Sequence, residues 1–444
     1  MTSFFHTYDL RGTFPDEIGE EEAERVGKAF GTWTSSDAVL VGRDGRTHGE
    51  KIARAFIEGL GSTGVDVVDA GMVPTPVVYR GMIARDIDAA AVVTASHNPP
   101  EYTGFKFCKG GALAVSREGG MKDVERIYRE EDFDTGKGAV EEVDLQDDYI
   151  DFVSDAIELE RPLEVAVNYG NGVAATIGRE LLEEIGCEVR DVNGEVDGEF
   201  PNHLPAPGEE EAQQQLIEAM DGEDLGVIFD GDGDRAGFVL PGYGYIPEDE
   251  VIAVFAEECL GEEKGKVVHD LRASKLVEEK VLEAGGEPVE SRVGHTFISE
   301  MIHDDPEVVF AGELSGHYYF PCLGAPYDDG LLAAALMCQV ASERDLVAEL
   351  EEFPDYPVSP ELRIDCPEGA KQEVVEMVSE HYSGREQSRK DGVKIVFDEG
   401  WALVRPSSTE PKMSVRVEAD SEEALERLLE DVESTVREAI REAG

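Results

Sequence analysis

Thr94-Ala95-Ser96-His97-Asn98-Pro99-Pro100-Glu101-Tyr102-Thr103-Gly104-Phe105-Lys106 follows the small apolar run Ala89-Ala90-Ala91-Val92-Val93, and the junction between the two decides the fold class. Uninterrupted Ala and Val read as a buried strand. Pro99, Pro100 and Gly104 then stop the strand and turn the chain into a loop. Ser96 therefore falls at the C-terminal edge of a strand, where α/β folds hold their ligands. His97 follows it, and Lys106 can return a positive charge to the same pocket. On this reading the serine hydroxyl is exposed for chemistry. An ordinary polar loop is the bland alternative, and the segment alone does not exclude it.

Asp230-Gly231-Asp232-Gly233-Asp234-Arg235 follows another apolar run, with Leu225, Val227, Ile228 and Phe229. Three carboxylates at alternate positions can turn oxygens toward one hard divalent cation, and the glycines let the backbone curl around it. An EF-hand beginning at Asp230 needs Gly at position 235 and Glu at position 241. The chain has Arg235 and Pro241, so that reading fails. An acidic surface turn is the remaining bland reading, but Arg235 beside the triplet points to an anionic ligand as well as a metal.

Two further clusters end strand-like runs. Gly312-Glu313-Leu314-Ser315-Gly316-His317 follows Val308 to Ala311 and offers a carboxylate, a hydroxyl and an imidazole within one turn, a set suited to sugar hydroxyls. Arg405-Pro406-Ser407-Ser408-Thr409-Glu410-Pro411-Lys412 follows Trp401 to Val404. One guanidinium with three hydroxyls makes a phosphate clamp, since Arg meets phosphate oxygens bidentately.

In this order the four clusters resemble those of the α-D-phosphohexomutase family, which interconverts sugar 1-phosphates and 6-phosphates. The resemblance covers essentially the whole chain. It extends to Tyr8-Asp9-Leu10-Arg11-Gly12, Gly42-Arg43-Asp44-Gly45-Arg46, Phe200-Pro201-Asn202-His203, Gly294-His295-Thr296 and Tyr327-Asp328-Asp329-Gly330. It implies a four-domain α/β architecture, three α/β domains with mixed sheets and a C-terminal α+β domain, around a central cleft.

It also implies roles. Ser96 corresponds to a phosphoserine, and an oxygen of that group would join Asp230, Asp232 and Asp234 around Mg²⁺. The phosphoryl group passes to a free sugar hydroxyl, giving a hexose 1,6-bisphosphate intermediate that turns over and returns its other phosphate to Ser96. Glu313 and Ser315 match residues that grip sugar hydroxyls. Arg405, Ser407, Ser408 and Thr409 match the distal phosphate site. Arg11, Lys106, Arg235 and His317 match charged groups near the reacting hydroxyl, and His295 is a further candidate there.

Length and periodicity fit this picture. At 444 residues the chain is expected to form several domains; the motifs divide it at 1–143, 144–245, 246–354 and 355–444. Strand, glycine-punctuated turn and helix alternate: Ala38 to Val41, Lys51 to Leu60, Leu163 to Val167, Val267 to His269 and Lys275 to Ala284. Glu20 to Trp33 is an amphipathic helix. After Pro357 short strands at 362–364, 393–396, 402–404 and 415–417 alternate with helices at 371–381 and 422–442, which predicts a small α+β sheet domain.

The charge is the chain's other extreme. Asp and Glu number 98 against 39 Lys and Arg, a net −59. Such a field repels nucleic acid and anionic membranes, and phosphosugars too, so the site needs its own cations. The acids are dispersed, as in Glu20-Glu21-Glu22 and Glu422-Glu423, rather than gathered in a tail. That pattern suggests a halophilic archaeal cytoplasm, where molar salt screens repulsion within ~3 Å. No stretch approaches the ~18 apolar residues of a membrane helix, and Met1-Thr2-Ser3-Phe4 begins no signal peptide. Six scattered cysteines without a CxxC pair read as reduced cytoplasmic thiols. The expected assembly is a monomer or homodimer with a small phosphosugar as its only partner.

Gly170-x-Gly172-x-x-Ala175 with Asp191 raises a rival, an NAD-dependent oxidoreductase. That reading leaves the other clusters unexplained. A non-enzymatic cation-binding protein, suggested by acidity alone, leaves Ser96 and Arg405 unexplained. The chain departs from common family patterns at Thr103, Arg292 and Ser408, none of which removes a needed chemical group. Substrate choice turns on Leu314, apolar like the Met of many phosphomannomutase/phosphoglucomutase enzymes, whereas phosphoglucosamine mutases often have Gln there. Hexose phosphate is the expected substrate class, with glucosamine phosphate the alternative.

Overall fold

The computed structural model describes residues 4–6, 9–261, 264–407 and 410–444. These form four sheets in chain order. In the first, Ala89–Val93 lies parallel to Ala38–Arg43 and antiparallel to Tyr102–Lys109. Asp66–Met72 and Val140–Glu142 extend it on one side and Leu10–Thr13 on the other. Every residue of Ala89–Val93 is buried, as its uninterrupted small apolar sequence requires.

The second sheet runs Gly244–Tyr245, Ala236–Leu240, Leu225–Phe229, Leu163–Asn168, Cys187–Val192, and the third runs Glu287–Ser291, Lys266–Asp270, Val308–Gly312, Tyr318–Phe320, Ala325–Asp328. Both pair their central strands in parallel and add antiparallel strands at one edge. The fourth is antiparallel throughout, and helices Lys371–His381 and Glu422–Ala443 pack against it. Ser421 caps the long helix by accepting the Ala424 N–H. Leu425, Leu428, Val432, Val436 and Ala439 are buried at three- and four-residue spacing.

Two readings near the first strand need correction. Gly104 and Lys106 lie inside the strand Tyr102–Lys109, not in the loop. A Cβ at Gly104 would stand 2.1 Å from the Leu10 carbonyl oxygen, so glycine there admits the neighbouring strand rather than making a turn. Lys106 consequently projects from a sheet. The glycine turn at 170–172 also has a packing cause, since a Cβ on Gly172 would stand 2.9 Å from the Asp230 carbonyl oxygen. Asp191 pairs with Arg179 at 2.8 Å.

The apolar core is divided unequally. One continuous cluster joins the first three sheets and encloses the helix Gly330–Glu343 on nearly all sides. The fourth sheet has its own cluster. It meets the body through the small group Leu271, Trp401 and Leu403, and through polar contacts such as Lys394–Glu290 at 2.6 Å. No helix among the described residues is long and apolar enough to cross a membrane.

Candidate functional site

The loops after Ala89–Val93, Leu225–Phe229 and Val308–Gly312 all leave the C-terminal ends of their strands, and they converge. Ser96 is not exposed, as its sequence suggested; it is fully buried at the floor of this meeting point. Its backbone has φ 48°, a left-handed conformation that costs a residue with a Cβ and persists only where neighbours enforce it. Here the neighbours are explicit. Ser96 N–H donates to Thr94 Oγ1 (2.8 Å), and Arg46 donates to the carbonyls of Ser96, Asn98, Pro99 and Tyr102 at 2.6–3.1 Å. Asp44 fixes the buried Arg46 at 3.2 Å.

Ser96 Oγ donates to Asp230 Oδ2 at 2.7 Å. His97 Nδ1 lies 3.2 Å from the same Oγ, so with the hydroxyl proton on Asp230 the imidazole N–H is the donor there. Arg235 and then burial depress His97 to about 2, keeping it neutral.

Asp230, Asp232 and Asp234 are fully buried, each with a carboxylate oxygen within 4.8 Å of the others. The surface-turn reading is thereby excluded. Asp230 Oδ1 accepts the Gly233 and Arg235 N–H groups, while Gly233 at φ 76° makes the tight curl. Thr75, opening the helix Thr75–Ala84, donates through Oγ1 to Asp232 Oδ2 at 2.8 Å. Lys106 bonds both Asp232 (2.7 Å) and Asp234. Burial and the two neighbouring carboxylates push Asp230 well above the usual range. Burial also opposes ionisation of Asp234, but Lys106, His317 and Arg235 outweigh it and hold that carboxyl low. Asp232 Oδ1 and Asp234 Oδ1 are buried without a hydrogen-bond partner. Orphaned carboxylate oxygens are costly, and three hard oxygens in this arrangement suit a divalent cation.

The third loop forms the wall. Glu313 Oε1 accepts the Gly294 N–H (3.0 Å), and Oε2 lies 2.9 Å from His317 Nδ1. Ser315 Oγ is 2.8 Å from the same nitrogen. Arg235 and His317 are paired across a β-bridge, with Arg235 Nε 3.1 Å from His317 Nε2. A guanidinium can only donate, so this contact is a hydrogen bond only while His317 is neutral with its proton on Nδ1, and a second proton on Nε2 breaks it. Burial and Arg235 lower the affinity of His317 for a second proton, but Asp234 and Glu313 prevail and raise it to about 9. His295 stands beside it, ring centroids 5.9 Å apart, and burial brings it down to about 4.

A cavity of ≈ 660 Å³ opens over these groups, with Arg11, His97, Arg235, His295, Glu313, Ser315 and His317 on its walls. Arg11 is oriented by Asp9 and Asn98. Leu314 does not line that cavity; its side chain is half-buried against the apolar core, and its N–H donates to Asp270 Oδ2 at 3.1 Å.

Arg405 is not on the cavity wall. It lies on the strand Gly400–Pro406 and pairs with Asp391 at 3.1 Å. Ser407 follows, its N–H donating to the Lys412 carbonyl. Ser408, Thr409 and Tyr8 lie outside the described residues.

Sequence reasoning assigned no role to several groups that build the site. Arg46 and Asp44 were noted only as part of a motif, and a buried Arg–Asp pair is invisible until the loop it clamps is seen. Thr75 carries no motif. Asp328, which burial and Asp234 raise to about 7, lies 3.9 Å from His317. Arg272, fixed on Asp270 by two hydrogen bonds at 2.7 and 3.0 Å, adds a cation to the cavity wall.

Four family models match the chain in order: phosphoglucomutase/phosphomannomutase alpha/beta/alpha domain I at residues 2–135, domain II at 147–242, domain III at 247–356, and the C-terminal domain at 361–435. Phosphomannomutase/phosphoglucomutase of Pseudomonas aeruginosa is 35% identical over 436 residues, covering 96% of this chain and 94% of its own. A probable phosphoglucosamine mutase of Methanopyrus kandleri is also 35% identical, over 456 residues, covering 100% and 99%. A crystal structure of a phosphoglucomutase/phosphomannomutase family protein from Burkholderia thailandensis superimposes with a TM-score of 0.91 at 33% identity, over 99% of this chain and 98% of that one.

Proposed function

The chain belongs to the phosphoglucomutase/phosphomannomutase family, mutases that interconvert hexose 1- and 6-phosphates, and on that premise we propose that Ser96 carries the transferred phosphoryl group. The observation that carries this reading is Ser96 Oγ, 2.7 Å from Asp230 in a buried triad whose Asp232 and Asp234 each keep an unsatisfied oxygen. Asp230, Asp232 and Asp234 are the residues that would hold Mg²⁺. When bound, the ion neutralises charge on the moving phosphoryl group, which is most of what phosphoryl transfer asks of a protein.

The remaining work falls to the chain. Arg46 and Thr94 fix Ser96 in one orientation, so little reorganisation is left for the reaction. Lys106 offsets the excess negative charge of the triad. Glu313 and Ser315 accept and donate to sugar hydroxyls. Near the reacting hydroxyl stand Arg11, Lys106 and His317. A guanidinium does not deprotonate, and Lys106 is raised above its usual range by Asp232 and Asp234 despite its burial. His317, held near 9, is the member able to exchange a proton under ordinary conditions. Arg405, with Ser407, Ser408 and Thr409, binds the phosphate that is not transferred. Hexose 1,6-bisphosphate forms within the cleft, reverses, and returns its second phosphate to Ser96.

For substrate we propose the 1-phosphates of mannose and glucose, which differ only at C2, with Glu313 and Ser315 gripping the ring elsewhere. Similar identity to a phosphomannomutase/phosphoglucomutase and a probable phosphoglucosamine mutase leaves this to experiment. Assay of mannose, glucose and glucosamine 1-phosphates side by side, with Mg²⁺ and a trace of hexose 1,6-bisphosphate, should give comparable kcat/KM for the first two and a lower value for the third. A preference for glucosamine 1-phosphate overturns the choice. The net charge of −59 supports a high-salt milieu, and six free cysteines a reducing one; thermal melts should then rise steeply between low and molar KCl, and a flat profile removes the high-salt reading.

A further inference from the structure

Arg117 lies on the cavity wall, outside every cluster described above. It begins the segment Arg117–Met121, which Ser116 caps by accepting the Gly119 N–H at 2.9 Å. Its Nη2 is 2.6 Å from Glu125, while Nη1 is buried without a hydrogen-bond partner. That guanidinium N–H lacks an acceptor and is closed to solvent, so a group in the cavity meets it after a small turn of the side chain.

Two features suit that N–H to an incoming anion. Glu125 does not depend on Arg117: Arg129 also grips it, with Nη2 at 2.6 Å and Nε at 2.9 Å. Arg117 can therefore share its charge with an incoming anion without stranding the carboxylate. Its position is the second feature. Besides the main cavity, Arg117 lines an adjoining space of ≈ 570 Å³ that also touches Lys390. The next residue, Asp391, is the partner of Arg405. Arg117 thus faces the cleft from the side of the fourth sheet, whereas Ser96 and the acidic triad form the floor.

We infer that Arg117 is a substrate-binding residue that donates from the first domain to the phosphate not being transferred, opposite Arg405. This rests on the mutase reading above. The contact is made equally in ground and transition states, so its loss acts on KM rather than on kcat.

The test is steady-state kinetics of Arg117→Ala, Arg117→Lys and Glu125→Gln in the full-length enzyme, with thermal melts as a fold check. Arg117→Ala should raise KM for hexose 1-phosphate roughly tenfold, the size of one charge-assisted contact, with kcat within about twofold. Arg117→Lys should recover part of the affinity. Glu125→Gln should not raise KM, because it only frees Arg117. Calorimetry on Ser96→Ala, which cannot turn over, should show hexose 6-phosphate binding weakened by the same factor when Arg117→Ala is added. Unchanged KM and binding overturn the inference, as does a fall in kcat at constant KM. Should Arg117→Ala fail to fold, the ordering of Arg117→Lys and Glu125→Gln decides. A wild-type enzyme with no mutase activity would instead sink the function itself.

Discussion

The floor of the cleft and the C-terminal phosphate loop are both polar turns at strand ends, but they are held in opposite ways. Ser96 and its three aspartates sit where three sheets share one continuous apolar core, with Arg46, Thr94, Thr75 and Lys106 bonded to them. Arg405 belongs to a sheet with its own core, fastened to the body by Leu271, Trp401 and Leu403 and by a few ion pairs. The difference follows the division of labour. Group transfer needs atoms fixed before the reaction begins, whereas a site that must accept either end of a bisphosphate needs charge and reach more than rigidity. Packing supplies the first, and a separately cored domain permits the second.

The comparison is broken most severely by Ser96→Ala. Removing the nucleophile of a cooperating group typically costs several orders of magnitude, so turnover should fall ~10⁴-fold or more. The fold should survive with a modest loss of stability, ~1–3 kcal/mol, because the buried Asp230 Oδ2 loses its donor. Intact mass spectrometry of the wild type should find one phosphate, absent from the variant; a phosphate that persists on Ser96→Ala would move the nucleophile elsewhere.

Lys106→Met probes the floor as a structure. Taking one partner out of a buried ionic network costs ~3–5 kcal/mol. Denaturant titration should show that loss in EDTA and a smaller one in Mg²⁺, because a bound cation replaces the missing charge. Equal losses in both conditions would mean that the triad does not hold the ion.

Arg405→Ala tests the other region. With the floor intact, kcat/KM should fall ~10–100-fold, mainly through KM, and stability should fall less than in Lys106→Met, because Asp391 keeps some access to water once its partner is gone. A loss in kcat equal to that of Ser96→Ala would erase the distinction between the regions.

The smallest effect concerns the seam between them. Asp249, opening the helix Glu248–Leu260, accepts the Ser274 N–H at 2.7 Å beside Arg416 and Glu418 of the fourth sheet. Burial raises its carboxyl to about 7, against an ordinary 3.8. Between those values the folded protein keeps a proton that the unfolded chain has released. Its contribution to stability therefore declines as pH rises from about 4 to 7, by at most ~1.4 kcal/mol per unit. Urea titrations over that range should show a shallower slope for Asp249→Asn; an identical slope would show that Asp249 is ionised in the fold.

Much of this was legible in the chain. Ala89–Val93, Leu225–Phe229 and Val308–Gly312 announce themselves because strands buried on both faces tolerate only apolar side chains. The helices Glu20–Trp33 and Lys371–His381 carry their own periodicity. Ser96, the aspartates and Glu313 were found because polar residues cluster where such strands stop. The depth of Ser96, the placement of Lys106 on a strand and the packing of Leu314 against the core were not legible. Each depends on what a different sheet brings alongside.

The linear sequence determined which residues could carry charge, where strands and helices begin, and that four such clusters end successive units. Those properties are local, set by side-chain chemistry and by periods of two or three to four residues. The tertiary structure decided the rest. It set Ser96 Oγ 2.7 Å from a carboxylate 134 positions away, brought Arg46 onto four loop carbonyls, and left Arg405 on a separate core with Asp391. Distances between remote residues come from how sheets stack once their apolar faces leave water, and nothing in the neighbourhood of either residue records them.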